Sequence, residues 1–212
     1  MTPEQLAEAR TRTLRDVVGP GLRVLFCGIN PGLMSAYQGR HFARPGNRFW
    51  PALHASGFTP RRFAPAEQDQ VLALGFGLTN VAPRATARAD ELTAEELVAG
   101  GRSLTAKVAR HRPEWLAVLG VTAYRVAFAD KHASVGPQER TLGGARVWVL
   151  PSPSGLNAHW SPTALAEEFA RLRAAAFPAD RAELDGSGLA EPAAGGVARH
   201  LAGPAAEAVP GP

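Results

Sequence analysis

The chain of 212 residues is predicted to be an α/β protein, with a short, mainly parallel sheet of about four strands between two helical layers. Short apolar runs typical of strands buried on both faces alternate with segments that carry helix signals. This alternation favours parallel pairing, because a helical crossover returns the chain to run in the same direction. The composition, 45% hydrophobic and 20% charged, is typical of a single globular domain with one sizeable core.

Four apolar runs are predicted to be the strands of this sheet. Each is short, is rich in branched or aromatic residues, and ends near a Gly, Pro or Asn. In chain order they are Leu22–Cys27, Gly75–Val81, Trp115–Gly120 and Arg146–Leu150.

Capping signals predict the helices between the strands. Thr2 and Gln5 form a capping box with Pro3 at the first helical position, which predicts a helix to about Val18. A second box at Thr93 and Glu96 predicts a helix to about His111. Three further helices are expected over residues 45–57, 122–130 and 161–177.

Residues 1–177 are expected to form the folded domain, and residues 178–212 a tail. In the tail, 21 of 35 residues are Pro, Gly or Ala, and large apolar side chains are almost absent. Such a segment cannot bury enough apolar surface to offset its loss of chain entropy, so we expect it to be disordered.

Composition also indicates where the protein works. The first 18 residues carry charges of both signs and no apolar core of a signal peptide, and no apolar run approaches the roughly 20 residues that span a bilayer. The single cysteine, Cys27, excludes an internal disulfide and any site built from cysteines alone, such as an iron–sulfur cluster. A reducing, cytoplasmic location with no membrane partner is expected.

The chain is basic, with a net charge of +4, and all but two of its 23 cationic side chains are arginine. Arginine suits bidentate contacts with phosphate. An arginine-rich codon bias would produce the same composition, so charge alone does not separate a nucleic-acid partner from that alternative.

The loop after the first strand, residues 28–44, is rich in specialised residues. Pro31 biases Asn30 away from helical geometry, so its carboxamide can project from the strand end and orient a water molecule or a ligand. Phe42 and Tyr37 offer rings that could stack on a planar ligand. The alternative is an ordinary strand–turn–helix connection in which Asn30 only caps the turn.

The loop after the fourth strand, residues 151–159, is the second candidate. Ser152 and Ser154 are short hydrogen-bonding side chains fixed by neighbouring prolines, and Gly155 allows a sharp turn before Leu156. An apolar residue at the tip of a polar loop could insert into a nucleic-acid stack, as apolar wedges do. The alternative is that Leu156 folds back onto the core. A parallel sheet would bring both loops to the rim where ligands bind.

Together, the motifs "GINPG", "RPGNRFW", "LGFGLTNV" and "VWVLPSPSGLN" resemble the mismatch-specific uracil-DNA glycosylases, bacterial relatives of thymine-DNA glycosylase in the uracil-DNA glycosylase superfamily. The similarity extends from about Leu22 to Arg173. The resemblance implies the three-layer fold of that superfamily. It also implies an enzyme, expected to be monomeric and to need no metal or organic cofactor, that flips uracil or a related mismatched pyrimidine, as in G·U, out of double-stranded DNA. The enzyme then hydrolyses the base's bond to deoxyribose.

The resemblance also implies roles for individual residues. Asn30 matches the residue that positions the water, and Phe42 the ring that stacks on the base. The residues expected to line the base pocket are Ile29, Ser35 and Ser152. The residues expected to contact DNA through the wedge loop are Gly155, Leu156, Asn157 and His159.

Two departures from the family pattern remain. Ser152 stands where the family usually has Asn, so contacts to the base on that side must be weaker or remade. Asn30 cannot remove a proton, which makes Asp90, or Glu91 beside it, a candidate general base. The alternative places both carboxylates in an acidic turn just before the helix that starts at Thr93, where the helix dipole favours negative charge.

Two other classes of function stay open at this stage. A nucleic-acid-binding protein of the same fold could have lost its chemistry, although Asn30 and Phe42 argue against this. A hydrolase of free nucleosides would need neither a wedge loop nor a basic surface. It would instead be expected to show a cluster of Asp metal ligands, which the sequence lacks.

Overall fold

The computed structural model describes residues 1–178. The predicted tail, residues 178–212, lies outside this range apart from its first residue. A five-stranded sheet is at the centre, with strand order β2-β1-β3-β5-β4. The strands are β1 (Val24–Gly28), β2 (Phe76–Asn80), β3 (Trp115–Leu119), β4 (Gly136–Leu142) and β5 (Ala145–Leu150).

The first four strands in spatial order are parallel, and β4 pairs antiparallel with β5 at one edge. The helices are α1 (Pro3–Thr11), α2 (Leu33–Gln38), α3 (Phe49–Ala55), α4 (Ala94–His111), α5 (Val121–Ala127) and α6 (Pro162–Ala176). Two 3₁₀ segments, Pro65–Leu74 and Ala89–Glu91, complete the described elements.

The sheet has a hydrophobic core on each face. Alternate residues of β1 separate into the two cores: Phe26 packs in one of them, whereas Leu25 and Cys27 pack in the other. The Phe26 side is covered by α3, α6 and the longer 3₁₀ segment, and the opposite side by α4 and α5. The molecule is therefore a three-layer α/β/α sandwich, as the sequence predicts.

The first helix is shorter than predicted. It starts at the expected capping box, where Thr2 accepts from the Gln5 amide, but it ends at Thr11 and not near Val18. Beyond it, Val17 exchanges two backbone hydrogen bonds with Leu78 of β2, of 2.8 and 2.9 Å. Extended pairing at the sheet edge thus replaces the last helical turns.

The sheet also has one strand more than the predicted four. In β4 only the first and last residues are buried, so its sequence, "GPQERTL", lacks the apolar pattern on which the prediction relied. A polar edge strand of this kind avoids pairing with other chains. Helix α3 is also shorter than the predicted span of 45–57, although α4 ends at His111 as expected.

The register of the parallel strands places their carboxyl ends at one rim. Gly28 at the end of β1 lies opposite Asn80 at the end of β2, and Leu119 of β3 lies opposite Leu150 of β5. The chain enters the loops after β1 and β5 from this rim. The two candidate loops, more than 100 residues apart in sequence, are therefore brought to the same edge.

Candidate active site at the carboxyl rim

A cavity of about 340 Å³ opens at this rim, and we call it the rim cavity. Its volume lies at the lower end of the range for small-molecule sites. It forms at β1, which lies between β2 and β3, and the connections from β1 and β3 leave in opposite directions along the sheet. Open α/β sheets bind ligands at such a switch point. Its lining includes eight of the ten sequence-predicted site residues: Ile29, Asn30, Ser35, Phe42, Asp90, Ser152, Leu156 and Asn157.

Of the ten predicted site residues, Gly155 and His159 do not line the rim cavity, although both lie on the exposed loop beside it. Tyr37, considered above as a stacking residue, does not line it either. Its ring packs against the small cluster of Ala9 and Leu33, under the Arg12 guanidinium.

The Asn30 carboxamide is held in one orientation. Its Nδ2 donates to the Arg84 carbonyl at 2.8 Å and to the Thr86 hydroxyl at 2.7 Å. A carbonyl only accepts, so the amide nitrogen must face it, and Oδ1 is directed to the other side. Within residues 1–178 no protein group donates to Oδ1. Asn30 therefore presents an acceptor suited to holding water, on a side chain fixed by two hydrogen bonds.

Thr86, which the sequence analysis did not identify, supports Asn30. Its side chain is buried, and its Oγ1 both accepts from Asn30 and donates to the Arg88 carbonyl at 2.7 Å. Its backbone N–H donates to Pro31, and its carbonyl accepts from Leu33. The segment around Thr86 thereby ties the connection after β2 to the loop after β1.

Phe42 has a left-handed backbone, with φ of 54°, a conformation that costs energy for a bulky residue. Its ring stacks on Phe49 with centroids 3.9 Å apart. The ring also lies against Gly28, where an added Cβ would be 3.3 Å from Phe42 and 2.6 Å from Oδ1 of Asn80. Gly28 is thus the residue that allows both Phe42 and the Asn80 amide to reach the strand end.

Two buried polar residues form the inner part of the lining. The Ser35 hydroxyl accepts from the Ala43 amide at 3.0 Å, which fixes the turn that carries Phe42. His41 is almost fully buried, and burial lowers the pKa of its imidazole, so the ring is neutral near pH 7. Ile29 contributes an apolar wall and packs against Gly120.

Asp90 lies at the mouth of the rim cavity, in the short 3₁₀ segment and not in the first turn of α4. Asp90 does not cap that helix, which Thr93 and Glu96 cap, although its segment lies directly before the helix, as the alternative expected. The Asp90 carboxylate is exposed and pairs with Arg88 at 2.6 Å, and this hydrogen bond holds its pKa below the ordinary value. Asp90 is consequently ionised at neutral pH but only weakly basic.

The loop after β5, residues 151–161 in the structure, is ordered by its own polar groups. Asn157 Nδ2 donates to the Ser152 carbonyl at 3.0 Å, and Asn157 Oδ1 accepts from the His159 amide at 3.3 Å. Leu156 at the tip is 60% exposed, so the alternative in which it folds back onto the core is wrong. An isobutyl group on a polar, fixed loop is available to contact a partner.

Arg48, just before α3, attaches this loop to the rest of the molecule. Its guanidinium donates to the carbonyls of Ser154 at 2.9 Å, of Asn157 at 2.8 Å and of Trp160. Its backbone N–H donates to Pro153 at 2.9 Å. The sequence analysis missed Arg48, because its partners lie more than 100 residues away and no local pattern connects them.

Other chemistries find little support in the described part of the chain. Cys27 precedes the site but is fully buried, and burial raises the pKa of its thiol, so it is no nucleophile. Residues 1–178 contain no group of three or more His, Cys, Asp or Glu side chains placed to hold a metal ion. None of the helices in the same range is both long and apolar enough to cross a membrane.

Fold and site together define an α/β protein with a ligand cavity at the carboxyl rim, built from polar loops and an aromatic platform. The family model of the uracil DNA glycosylase superfamily matches residues 16–175, most of the chain. The chain therefore belongs to the uracil DNA glycosylase superfamily, whose members are DNA glycosylases, hydrolases that act on DNA.

A solved structure shares the fold. It is the solution NMR structure of a "putative Uracil DNA glycosylase" from Methanosarcina acetivorans, which is 20% identical to this chain. The match has a TM-score of 0.51 and covers 76% of this chain and 98% of that one. The predicted α/β fold of the superfamily is thus confirmed, with five strands in the sheet.

Proposed function

We propose that this protein is a monofunctional DNA glycosylase that extrudes uracil, or a related mismatched or damaged pyrimidine, from double-stranded DNA and hydrolyses its N-glycosidic bond. The observation that carries the proposal is the rim cavity, which the loops after β1 and β5 line together. One loop supplies Asn30 and Phe42 for the base, and the other presents Leu156 beside them.

The chemistry of the lining suits this reaction. Water held by Asn30 Oδ1 attacks C1′ of the deoxyribose as the bond to the base nitrogen breaks. The base leaves as an anion and later takes a proton, while the proton of the attacking water passes to Asp90 or to solvent. Asn80, which lines the cavity at the end of β2, supplies an amide donor that can stabilise the departing charge more in the transition state than in the ground state.

A preference for uracil opposite guanine, as in the mismatch-specific branch, is part of the proposal. Its support is the "GINPG" motif with Asn30 in this chain and the exposed wedge loop. A mismatched base costs less to unstack than a paired one, and Leu156 would fill the vacated space. Ser152, with its short side chain, leaves more room in the lining than an Asn would, which is compatible with bases larger than uracil.

The test uses end-labelled DNA containing uracil as G·U, as A·U or in a single strand, followed by alkaline cleavage of abasic sites. We expect uracil release, fastest from G·U, and Asn30→Ala is the matched control for a contaminating activity. DNA binding without release of any base would instead indicate a non-catalytic binding protein. Release only from free deoxyuridine would indicate a nucleoside hydrolase.

A further inference from the structure

A second cavity, of about 350 Å³, adjoins the rim cavity and shares Phe42, Arg44 and Asn47 with it. We call it the arginine groove. Its charged lining residues are Arg44 and Arg62, and its walls are apolar. The wall residues include Trp50, Phe63 and three prolines, Pro45, Pro51 and Pro65.

The charge of this groove is uncompensated. No carboxylate lines it. Across residues 1–178, the guanidinium groups of these two exposed arginines have no ion pair and no hydrogen bond to another protein group. Other arginines near the rim are occupied: Arg84 pairs with Glu96, and Arg88 pairs with Asp90. The guanidinium groups of Arg44 and Arg62 are therefore available to bind an anion beside the rim cavity.

Asn47 adds a further donor to the groove. Its Oδ1 accepts from the Phe49 amide at 2.9 Å, so the NH₂ group is the part of the carboxamide left for a ligand. Two guanidinium groups and an amide donor, with no acidic residue in the lining, match the oxygens of a phosphodiester. The shared lining places such a ligand next to whatever occupies the rim cavity.

We propose that the arginine groove binds the backbone phosphate of the DNA strand that carries the extruded base, within one or two nucleotides of that base. This inference rests on the proposed function, since it takes the strand in the rim cavity to be the substrate. Because the contact is to phosphate, it contributes affinity and orientation but no discrimination among bases.

The first test is the salt dependence of binding to a duplex that holds a stable abasic analogue. Each phosphate neutralised contributes about 0.9 to the slope of log affinity against log salt concentration. The double variant carries both Arg44→Gln and Arg62→Gln. We expect it to reduce the slope by about 0.9 if the two arginines share one phosphate, and by about 1.8 if each holds its own. Arg102→Gln, which changes an exposed arginine on α4 outside both cavities, should leave it unchanged. A wild-type slope in the double variant, or an equal change in Arg102→Gln, would overturn the proposal.

The second test locates the phosphate. Neutral methylphosphonate links replace single phosphates, one at a time, from three positions before the abasic analogue to three after it. At the contacted position the link should weaken binding by wild type but not further weaken binding by the double variant, because the partner is already lost. Additive losses at every position would count against a direct contact.

The two proposals fail separately. If the protein binds DNA with the expected slopes but releases no base, the glycosylase proposal is wrong and the groove stands as a phosphate site. If it releases uracil while the double variant keeps the wild-type slope, the groove proposal is wrong and the glycosylase proposal stands.

Discussion

The two loops at the carboxyl rim are held in place by different means. The loop after β1 is tied through its backbone: the Pro31 carbonyl accepts from Thr86, and the Ile29 carbonyl accepts from Ala82. Its Ser35 is also buried. The loop after β5 has its tip in solvent, and one side chain, that of Arg48, holds three of its carbonyls.

The difference separates two tasks. A group that positions a reacting water must be held to within a fraction of an ångström, which backbone hydrogen bonds and burial can achieve. A group that inserts into a DNA stack must instead remain exposed until DNA arrives. The comparison therefore predicts that damage to the first loop abolishes chemistry, whereas damage to the second impairs action on duplexes selectively.

The largest effect is expected for Asn30→Ala. Loss of the acceptor that positions water should slow base release in single-turnover assays by about 10²-fold or more, with DNA affinity retained, since no phosphate contact is lost. Thr86→Val is the graded control. It keeps the buried volume but removes the hydroxyl that orients Asn30, so it should slow release by less. Wild-type rates for Asn30→Ala would exclude the water-positioning role.

The next effect concerns Arg48, a positioning residue for the second loop. Arg48→Ala frees three carbonyls at once, and it should reduce release from duplex DNA by more than about tenfold relative to single strands. Arg48→Lys keeps the charge but lacks the planar fork, so it should not restore the duplex rate. Melting temperatures of both variants check that the fold is intact. Equal loss on duplexes and single strands would show that Arg48 acts on the whole site.

Leu156→Ala should have a smaller, equally selective effect. Full burial of one leucine side chain contributes about 1.5–3 kcal/mol, or roughly 10- to 150-fold, and because alanine keeps part of that contact we expect a loss of about tenfold on duplex uracil. Single-stranded uracil has no stack to hold open and should react as before. Affinity for a duplex with a stable abasic analogue should fall in parallel. If product affinity is unchanged, the side chain does not occupy the vacated space.

The sequence predicted the sheet and the two loops because these depend on local composition. Buried parallel strands are continuous apolar runs, and the turns at "GINPG" and "PSPSGL" can be predicted from their Gly and Pro residues. Strand β4 was missed because an edge strand has little to bury. Helix α1 was extended too far because pairing of Val17 with Leu78 is a tertiary effect.

The residues that support the site could not be predicted from the sequence either, because their roles also depend on tertiary contacts. Thr86 acts on Asn30 across 56 positions, and Arg48 acts on Trp160 across 112. Each is an unremarkable residue in its own segment, and only the closed sheet brings it to its partner. Asp90 is a mixed case: its place just before the Thr93 helix was readable from the local acidic pattern, whereas its place in the lining of the rim cavity depends on how the loops fold.

The smallest effect is expected at Asp90, which we propose as the base that activates water. Because Arg88 holds the pKa of this carboxylate below its ordinary value, Asp90 stays ionised through the neutral range, and its weak basicity limits its contribution. Asp90→Asn should slow the chemical step by about tenfold or less at pH 7.

In the wild type, activity should fall as pH falls through the depressed pKa of Asp90, since protonation removes the base. Arg88→Gln removes the partner that lowers this pKa, so it should move the acid limb of the pH–rate profile to higher pH, whereas Asp90→Asn should remove that limb. Single-turnover rates from about pH 2.5 to pH 8, with circular dichroism to confirm folding at each pH, make the comparison, because the depressed pKa lies below the ordinary aspartate range. An acid limb that survives in Asp90→Asn, or that does not move in Arg88→Gln, would assign the titration to another group.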